Sequence, residues 1–274
     1  MAKKYTLDEL LIITAAREIH DGENIILGVG LPTTAGAMAK ALHAPHATLM
    51  MESGIIDFEP LVPPNHIADA NSCRGFSYAT DLFSSFTMTY RGYVDVCFLG
   101  VAQIDRFGNV NTTVIGDYYQ PKMRMPGSGG AADFISYAKR TILTMRGGEF
   151  VNKLDYLTSP GFLEGGNSRE ATGLFPPGSG PVMLLTTKGI FRFHGETKEL
   201  YLSRVHPGVS VESIRMDVPW NLKVAQDLAE TERPTDTEIE FVRQFAPTEA
   251  VGRKLMYELG LTNAFRKAQA RGKM

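Results

Sequence analysis

Apolar positions along this chain recur at two spacings, and the alternation between them predicts the architecture. Near the N-terminus, Leu10, Ile13 and Arg17 follow at helical spacing behind Thr6 and Glu9, whose T-x-x-E arrangement is a capping box, so the chain is expected to open on a packed amphipathic helix. "NIILGVGLPTTAGAMAKALHA" then reads as a buried strand, a glycine turn and a helix beginning near Thr33 or Thr34. "ATLMM" is a further short strand, and it carries "ESG" at its carboxyl end. "VDVCFLGVAQID" forms a third apolar run, followed by the turn signal "RFGN" and the β-branched stretch "VNTTVI". "GSGGAADFISYAKR" passes from glycine loop to helix, and "TILTM" resumes a strand.

This strand, loop and helix alternation predicts an α/β fold with crossover helices, in which a site gathers at the carboxyl ends of the strands. From Pro181, "PVMLLTTKGIFRFHGETKELYLSRV" reads as successive antiparallel strands joined at "TKG" and "HGETK", which makes the expected sheet an open, mixed one. The tail, from "DTEIEFVRQFA" to "GLTNAFRKAQARGKM", reads as helical and finishes in a basic stretch. No linker divides the chain, so residues 1–274 are expected to form a single domain, α/β to about residue 180 and then β-rich and helical.

Composition narrows the function classes. Hydrophobic residues make up 43% and charged residues 21%, with a formal net charge of -2, a balance that suits a compact enzyme-sized fold and counts against nucleic acid as a partner. Cys73 and Cys97 are too few for a disulfide framework, so a cytoplasmic home is expected. No run approaches the roughly 20 apolar residues that cross a bilayer, and no membrane partner is expected. The six histidines are scattered and no metal site is expected. There is no G-x-S-x-G elbow, no G-x-G-x-x-G spacing and no P-loop lysine.

Glu52 and the glycine loops remain. Glutamate is neither a good strand former nor a favoured turn residue, yet Glu52 stands where a strand turns. It reads either as a strand-end carboxylate that caps or pairs, or as a nucleophile toward an activated acyl group, which must then stay ionised in a partly hydrated site. Attack on a thioester places negative charge on the carbonyl oxygen, and main-chain N–H groups of a loop such as "GSGGAADF" could hold it. The same loop equally reads as a plain connection.

Five motifs, "GVGLP", "MESGIID", "AQIDRFGNVNTTVIGDY", "PKMRMPGSGGAAD" and "NKLDYLTSPGFLEG", occur in the order and approximate spacing of the β subunits of family I coenzyme A transferases, and the chain resembles that family from about Leu7 to Tyr201. The resemblance implies a NagB/RpiA/CoA transferase-like fold and a homologous α subunit in a heterotetramer or hetero-octamer. It implies coenzyme A as a substrate, with no tightly bound cofactor. Glu52 matches the family's nucleophile, which forms an acyl anhydride and then a glutamyl-CoA thioester. Gly130 first, and Gly129 second, match its oxyanion loop. Gly28, Gly30, Gln103 and Asn109 are expected to line the same cleft, and glutaconate or another short or dicarboxylic acid is the expected substrate.

"DANSCRGFSYATDLFSSFTMTYRG", between Asp69 and Gly92, matches the family poorly and leaves the acid open. Arg74, Arg91 and Arg124 are candidate partners for a distal carboxylate. Acyl-CoA hydrolases, ring-cleaving hydrolases and decarboxylases resemble the same architecture, and a non-catalytic ligand-binding or regulatory protein is the alternative from another class. Glu52 favours transfer over each of them.

Overall fold

A computed structural model describes residues 4–246. Its first helix, α1 (Leu7–Arg17), starts as expected: the Thr6 side chain accepts from Glu9 N–H at 3.1 Å, and the Glu9 carboxylate accepts from Thr6 N–H at 2.6 Å. Strand β1 (Asn24–Ile26), helix α2 (Leu31–Leu42) and strand β2 (Thr48–Met50) form the first βαβ unit of the sheet. Helix α2 begins at Leu31, two or three residues before the expected threonines, because Gly30 takes φ +91° as its N-cap and Pro32 is tolerated in a first turn. Thr33 and Thr34 instead turn their hydroxyls back onto the Gly28 and Gly30 carbonyls.

Short strands β3 (Ile55–Ile56) and β4 (Tyr78–Ala79) follow, then α3 (Leu82–Tyr90) and β5 (Val96–Gly100). The remaining order is β6 (Gln103–Ile104), β7 (Val110–Asn111), β8 (Val114–Gly116), β9 (Pro121–Arg124), α4 (Ala131–Tyr137), β10 (Arg140–Met145), β11 (Glu149–Phe150), α5 (Ser168–Ala171), β12 (Pro181–Thr186), β13 (Gly189–Phe193), β14 (Leu200–Val205), α6 (Val211–Arg215), β15 (Lys223–Glu230) and α7 (Asp236–Phe245). Of the tail expected to be helical, residues 247–274 lie outside the described residues.

Among the described residues, ten strands make the main sheet, in the order β15-β14-β13-β12-β10-β5-β1-β2-β3-β4. The central five, from β12 to β2, are parallel, while β3, β4, β13 and β14 each join through antiparallel pairs, so the sheet is mixed. Strand β15 returns parallel to β14, a pairing that the antiparallel reading of this region did not include. Side chains of the central strands alternate between two apolar cores. Ile25, Leu49, Val96, Phe98 and Ile142 face one, with α1, α2 and α7; Ile26, Met50, Cys97, Leu99 and Leu143 face the other, with α4. Burial on both faces is what a parallel sheet between helical layers requires.

Strand β1 lies between β2 and β5, so the chain winds outward in one direction through β2 and then crosses to the other side of β1. That reversal makes the carboxyl ends of β1, β2 and β5 a topological switch point, the place where open α/β sheets bind ligands. Two smaller sheets, β11-β6-β7 and the hairpin β8-β9, are separate from the main one. No described helix is long and apolar enough to cross a membrane.

Candidate active site

Beyond Met50 the chain reverses in four residues. Gly54 N–H donates to the Met51 carbonyl at 3.0 Å, which closes a tight turn with Glu52 at its second position, and Met51 N–H pairs with Ile55 across the new hairpin. Gly54 is required there. Its φ is +98°, and a Cβ would lie 2.5 Å from the Thr80 carbonyl oxygen. The turn is also tied from outside, by Thr80 N–H to the Gly54 carbonyl at 2.8 Å and by the buried Ser85 hydroxyl to the Glu52 carbonyl at 2.6 Å. Asp57, in the left-handed region at φ +57°, holds the far end through Lys40 and Ser77.

Glu52 is therefore fixed at its main chain and half-buried at its side chain. Burial pushes its carboxyl above the ordinary glutamate range, and a hydrogen bond from the Gly130 N–H offsets part of that rise. The two residues are neighbours: a Cβ on Gly130 would stand 2.8 Å from Glu52 Oε2. Next to the nucleophile candidate, the Ser53 hydroxyl is buried without a partner among the described residues.

Gly130 comes to Glu52 through a loop that is anchored at both ends. Gly127 N–H donates to the Thr112 carbonyl at 2.9 Å, and the Thr112 hydroxyl donates to the Gly127 carbonyl at 2.8 Å. At the other end Gly130 is the N-cap of α4, its carbonyl accepting from Phe134 N–H. The loop uses positive φ at Gly127 (+94°) and Gly129 (+49°), whereas Gly130, at φ −79°, is glycine for a different reason: Phe134 and Glu52 leave no room for a side chain.

Gly28 and Gly30 belong to the same end of the sheet. Ile26 pairs with Met50, so Gly28 and Glu52 each follow two residues past a paired position on adjacent strands. A Cβ at Gly28 would meet nothing closer than 3.9 Å, so packing does not demand glycine there. Exposed Gly129 lies in the loop before Gly130.

Gln103 and Asn109 are placed differently. The amide of Gln103 donates to Glu149 and Asp155, and its oxygen accepts from Asn111 and the Asp155 N–H. Asn109 donates to Asp105 and the Leu163 carbonyl and accepts from Gly161 and Leu163 N–H. Both side chains have every donor and acceptor engaged within the chain, which ties the small sheet and the 158–163 segment beneath the glycine loop. Of the arginines, Arg74 donates to the Glu59 carbonyl, Arg124 lies over the Tyr118 ring at 4.6 Å, and Arg91 caps α3. Among the described residues no group of three or more His, Cys, Asp or Glu could hold a metal ion. Ser85 and Thr112 carried no local signal: Ser85 reaches Glu52 across 33 positions of sequence, and Thr112 reaches Gly127 across 15.

Known proteins are similar to this chain in sequence and fold. The Coenzyme A transferase family profile matches residues 9–217. The B subunit of the 3-oxoadipate CoA-transferase of Pseudomonas knackmussii is 37% identical over 87% of this chain and 92% of its own length. The B subunit of the glutaconate CoA-transferase of Acidaminococcus fermentans is 36% identical over 88% and 92%. The crystal structure of that glutaconate enzyme superposes with a TM-score of 0.84 at 33% identity, covering 91% of this chain and 98% of the other. The decarboxylase AibA/AibB superposes with a TM-score of 0.76 at 25% identity, covering 89% and 96%.

Proposed function

Since the chain belongs to the coenzyme A transferase family, we propose that it is the subunit of such an enzyme that supplies the nucleophile, with Glu52 as that nucleophile. A glutamate Oε attacks the thioester carbonyl of acyl-CoA, the carbon–sulfur bond breaks, and CoA leaves as the thiolate from an acyl-glutamyl anhydride. The thiolate then attacks the glutamyl carbonyl, which releases the donor acid as its carboxylate and leaves a glutamyl-CoA thioester. An acceptor carboxylate repeats the two exchanges in reverse and departs as the new acyl-CoA, with Glu52 regenerated. No proton is transferred in any of these steps, which suits a site that holds an ionised carboxylate and main-chain donors.

The observation that carries this reading is the placement of the Glu52 carboxylate beside the Gly130 main chain, where a Cβ would stand 2.8 Å from Glu52 Oε2. In the free protein the Gly130 N–H favours the charged carboxylate. When a thioester carbonyl occupies the loop, with Gly129 as the second donor, the N–H passes to the developing oxyanion. Glu52 is then left less stabilised and more nucleophilic at the moment of attack. Gly28 and Gly30 line the entrance at the carboxyl end of β1, and coenzyme A enters as a substrate.

Both named relatives take their names from dicarboxylic acids, which favours glutaconate or another short or dicarboxylic acid here. Each is also named as one lettered subunit of its enzyme, which favours a homologous α subunit that completes the cleft in a heterotetramer or hetero-octamer, so the chain alone should exchange almost no CoA. The proposed compartment is the cytosol.

The test is chemical. The complex with its partner is incubated with acyl-CoA, quenched with hydroxylamine and digested, and the peptide containing Glu52 is weighed. Conversion of Glu52 to the hydroxamate, absent in Glu52→Ala, supports the reading. An unmodified peptide from an active complex refutes it, and release of free acid without any need for an acceptor indicates a hydrolase.

A further inference from the structure

Attack by a carboxylate on a carbonyl needs the two held near 3–3.5 Å in the right direction, and a misplacement of about 1 Å can cost about 10² in rate. In this protein the two reacting parts come from different elements, so their separation depends on how those elements are held against each other. Glu52 sits in a turn between β2 and β3, and Gly130 ends a loop between β9 and α4. A hydroxyl from a distant part of the sequence binds the main chain at Glu52 itself, from Ser85, and at Gly127 in the loop before Gly130, from Thr112.

Ser85, on α3, is fully buried. Its single proton has two carbonyl acceptors within reach, Glu52 at 2.6 Å and Leu82 at 2.9 Å, and the shorter contact is to the turn. The same helix packs on α4 through Phe86 against Phe134, ring centroids 5.0 Å apart, and through a hydrogen bond from Tyr90 to Asp133. The Phe134 ring is also the group against Gly130. Helix α3 thus grips the Glu52 turn through Ser85 and the start of α4 through aromatic contact, which sets one side against the other. Thr112 restrains the loop from its opposite end, taking both the N–H and the carbonyl of Gly127. Thr112 is itself held by Thr158, which accepts its N–H at 2.9 Å.

We propose that Ser85 and Thr112 are positioning residues for acyl transfer, two hydroxyls that set the distance between the Glu52 carboxylate and the Gly130 N–H. This rests on the nucleophile reading of Glu52 above. Neither hydroxyl touches the reacting atoms, so their loss acts on the approach to the transition state and leaves the binding of acyl-CoA largely intact.

The experiment uses the complex with its partner subunit and the variants Ser85→Ala, Thr112→Val and Thr112→Ser. Steady-state CoA exchange, melting temperature and the rate of hydroxylamine-trapped labelling of Glu52 are measured for each. Ser85→Ala and Thr112→Val are expected to lower kcat and the labelling rate by about tenfold or more, with KM for acyl-CoA within about twofold. Thr112→Ser, which keeps the hydroxyl, restores most of the lost rate. Labelling by the two hydroxyl-less variants at the wild-type rate, or a loss confined to KM, overturns the proposal. Equal losses in Thr112→Ser and Thr112→Val also overturn it, and this pair decides the matter if Ser85→Ala does not fold. Failure of the wild type itself to label at Glu52 overturns the nucleophile reading instead.

Discussion

Substituting Gly130 by alanine separates contact from backbone strain. Its φ of −79° suits any L-residue, so Gly130→Ala carries no conformational penalty and by itself gains about 0.4–1 kcal/mol from a less flexible unfolded chain. The new methyl would nevertheless stand 2.4 Å from Phe134 Cε2, 2.7 Å from its Cζ and 2.8 Å from Glu52 Oε2. Phe134 is buried and packed on Phe86, so it can yield little. Overpacking of this kind costs about 1–3 kcal/mol, and the softest response is for the loop and the carboxylate to part. Losing one oxyanion donor costs about 10²–10³ in kcat. The comparison is Gly129→Ala, where φ is +49° and nothing lies within 4 Å of the added carbon. That change costs about 1–2 kcal/mol of backbone strain and leaves Glu52 and Gly130 beside each other. CoA exchange and thermal denaturation of the complex are measured for both. Gly130→Ala should lose at least tenfold more kcat than Gly129→Ala, although the two stability costs overlap and the melting temperatures should lie close together. Exchange by Gly130→Ala within a fewfold of wild type would refute the assignment of that N–H.

Because burial raises the Glu52 carboxyl, the acid limb of kcat/KM should lie above the ordinary glutamate value of about 4.3, with activity falling as protonation removes the nucleophile. The same rise means that folding disfavours the charged form, so Glu52→Gln should melt higher than wild type at neutral pH while transferring no CoA, and the difference should close as pH falls through the raised value. Gly54→Ala combines φ +98° with a 2.5 Å approach to the Thr80 carbonyl and should destabilise by about 2 kcal/mol or more, read from a denaturant midpoint. In the native protein Cys97, fully buried with its thiol pushed up to about 12, should resist alkylation while exposed Cys73 reacts, which mass spectrometry of iodoacetamide-treated protein distinguishes.

Much of this fold is visible in local sequence because its signals are local. The capping box at Thr6 and Glu9, the βα unit through Gly28 and Gly30, the strand ending at Glu52 and the paired strands after Pro181 each depend on residues close in sequence. "VNTTVI" shows where that fails. Its β-branched residues suit an extended run, but the Asn111 side-chain oxygen accepts from the N–H groups of Thr113 and Val114 and divides it into β7 and β8. Strand β15 gives no such signal, because "KVAQDLAE" has a polar, mostly exposed pattern and pairs only along the outer side of β14. The positions of Glu52 and Gly130 in the chain are legible, but their proximity is not, since it depends on α3 and α4 packing together. Gln103 and Asn109 stand in a motif that looks like ligand chemistry, yet their bonding partners at Glu149, Asp155, Gly161 and Leu163 lie 46 to 54 residues away.

The hairpin turn at Glu52 also limits how such a scaffold can diversify. With Met51 and Gly54 closing the reversal and Met50 registered against Ile56, one inserted or deleted residue would slide β3 and turn its side chains to the wrong face of the sheet. Chain length is frozen at this point. New chemistry on the same frame must therefore arise by exchanging the single side chain at position 52, while variation in length is left to the connections that border the acid.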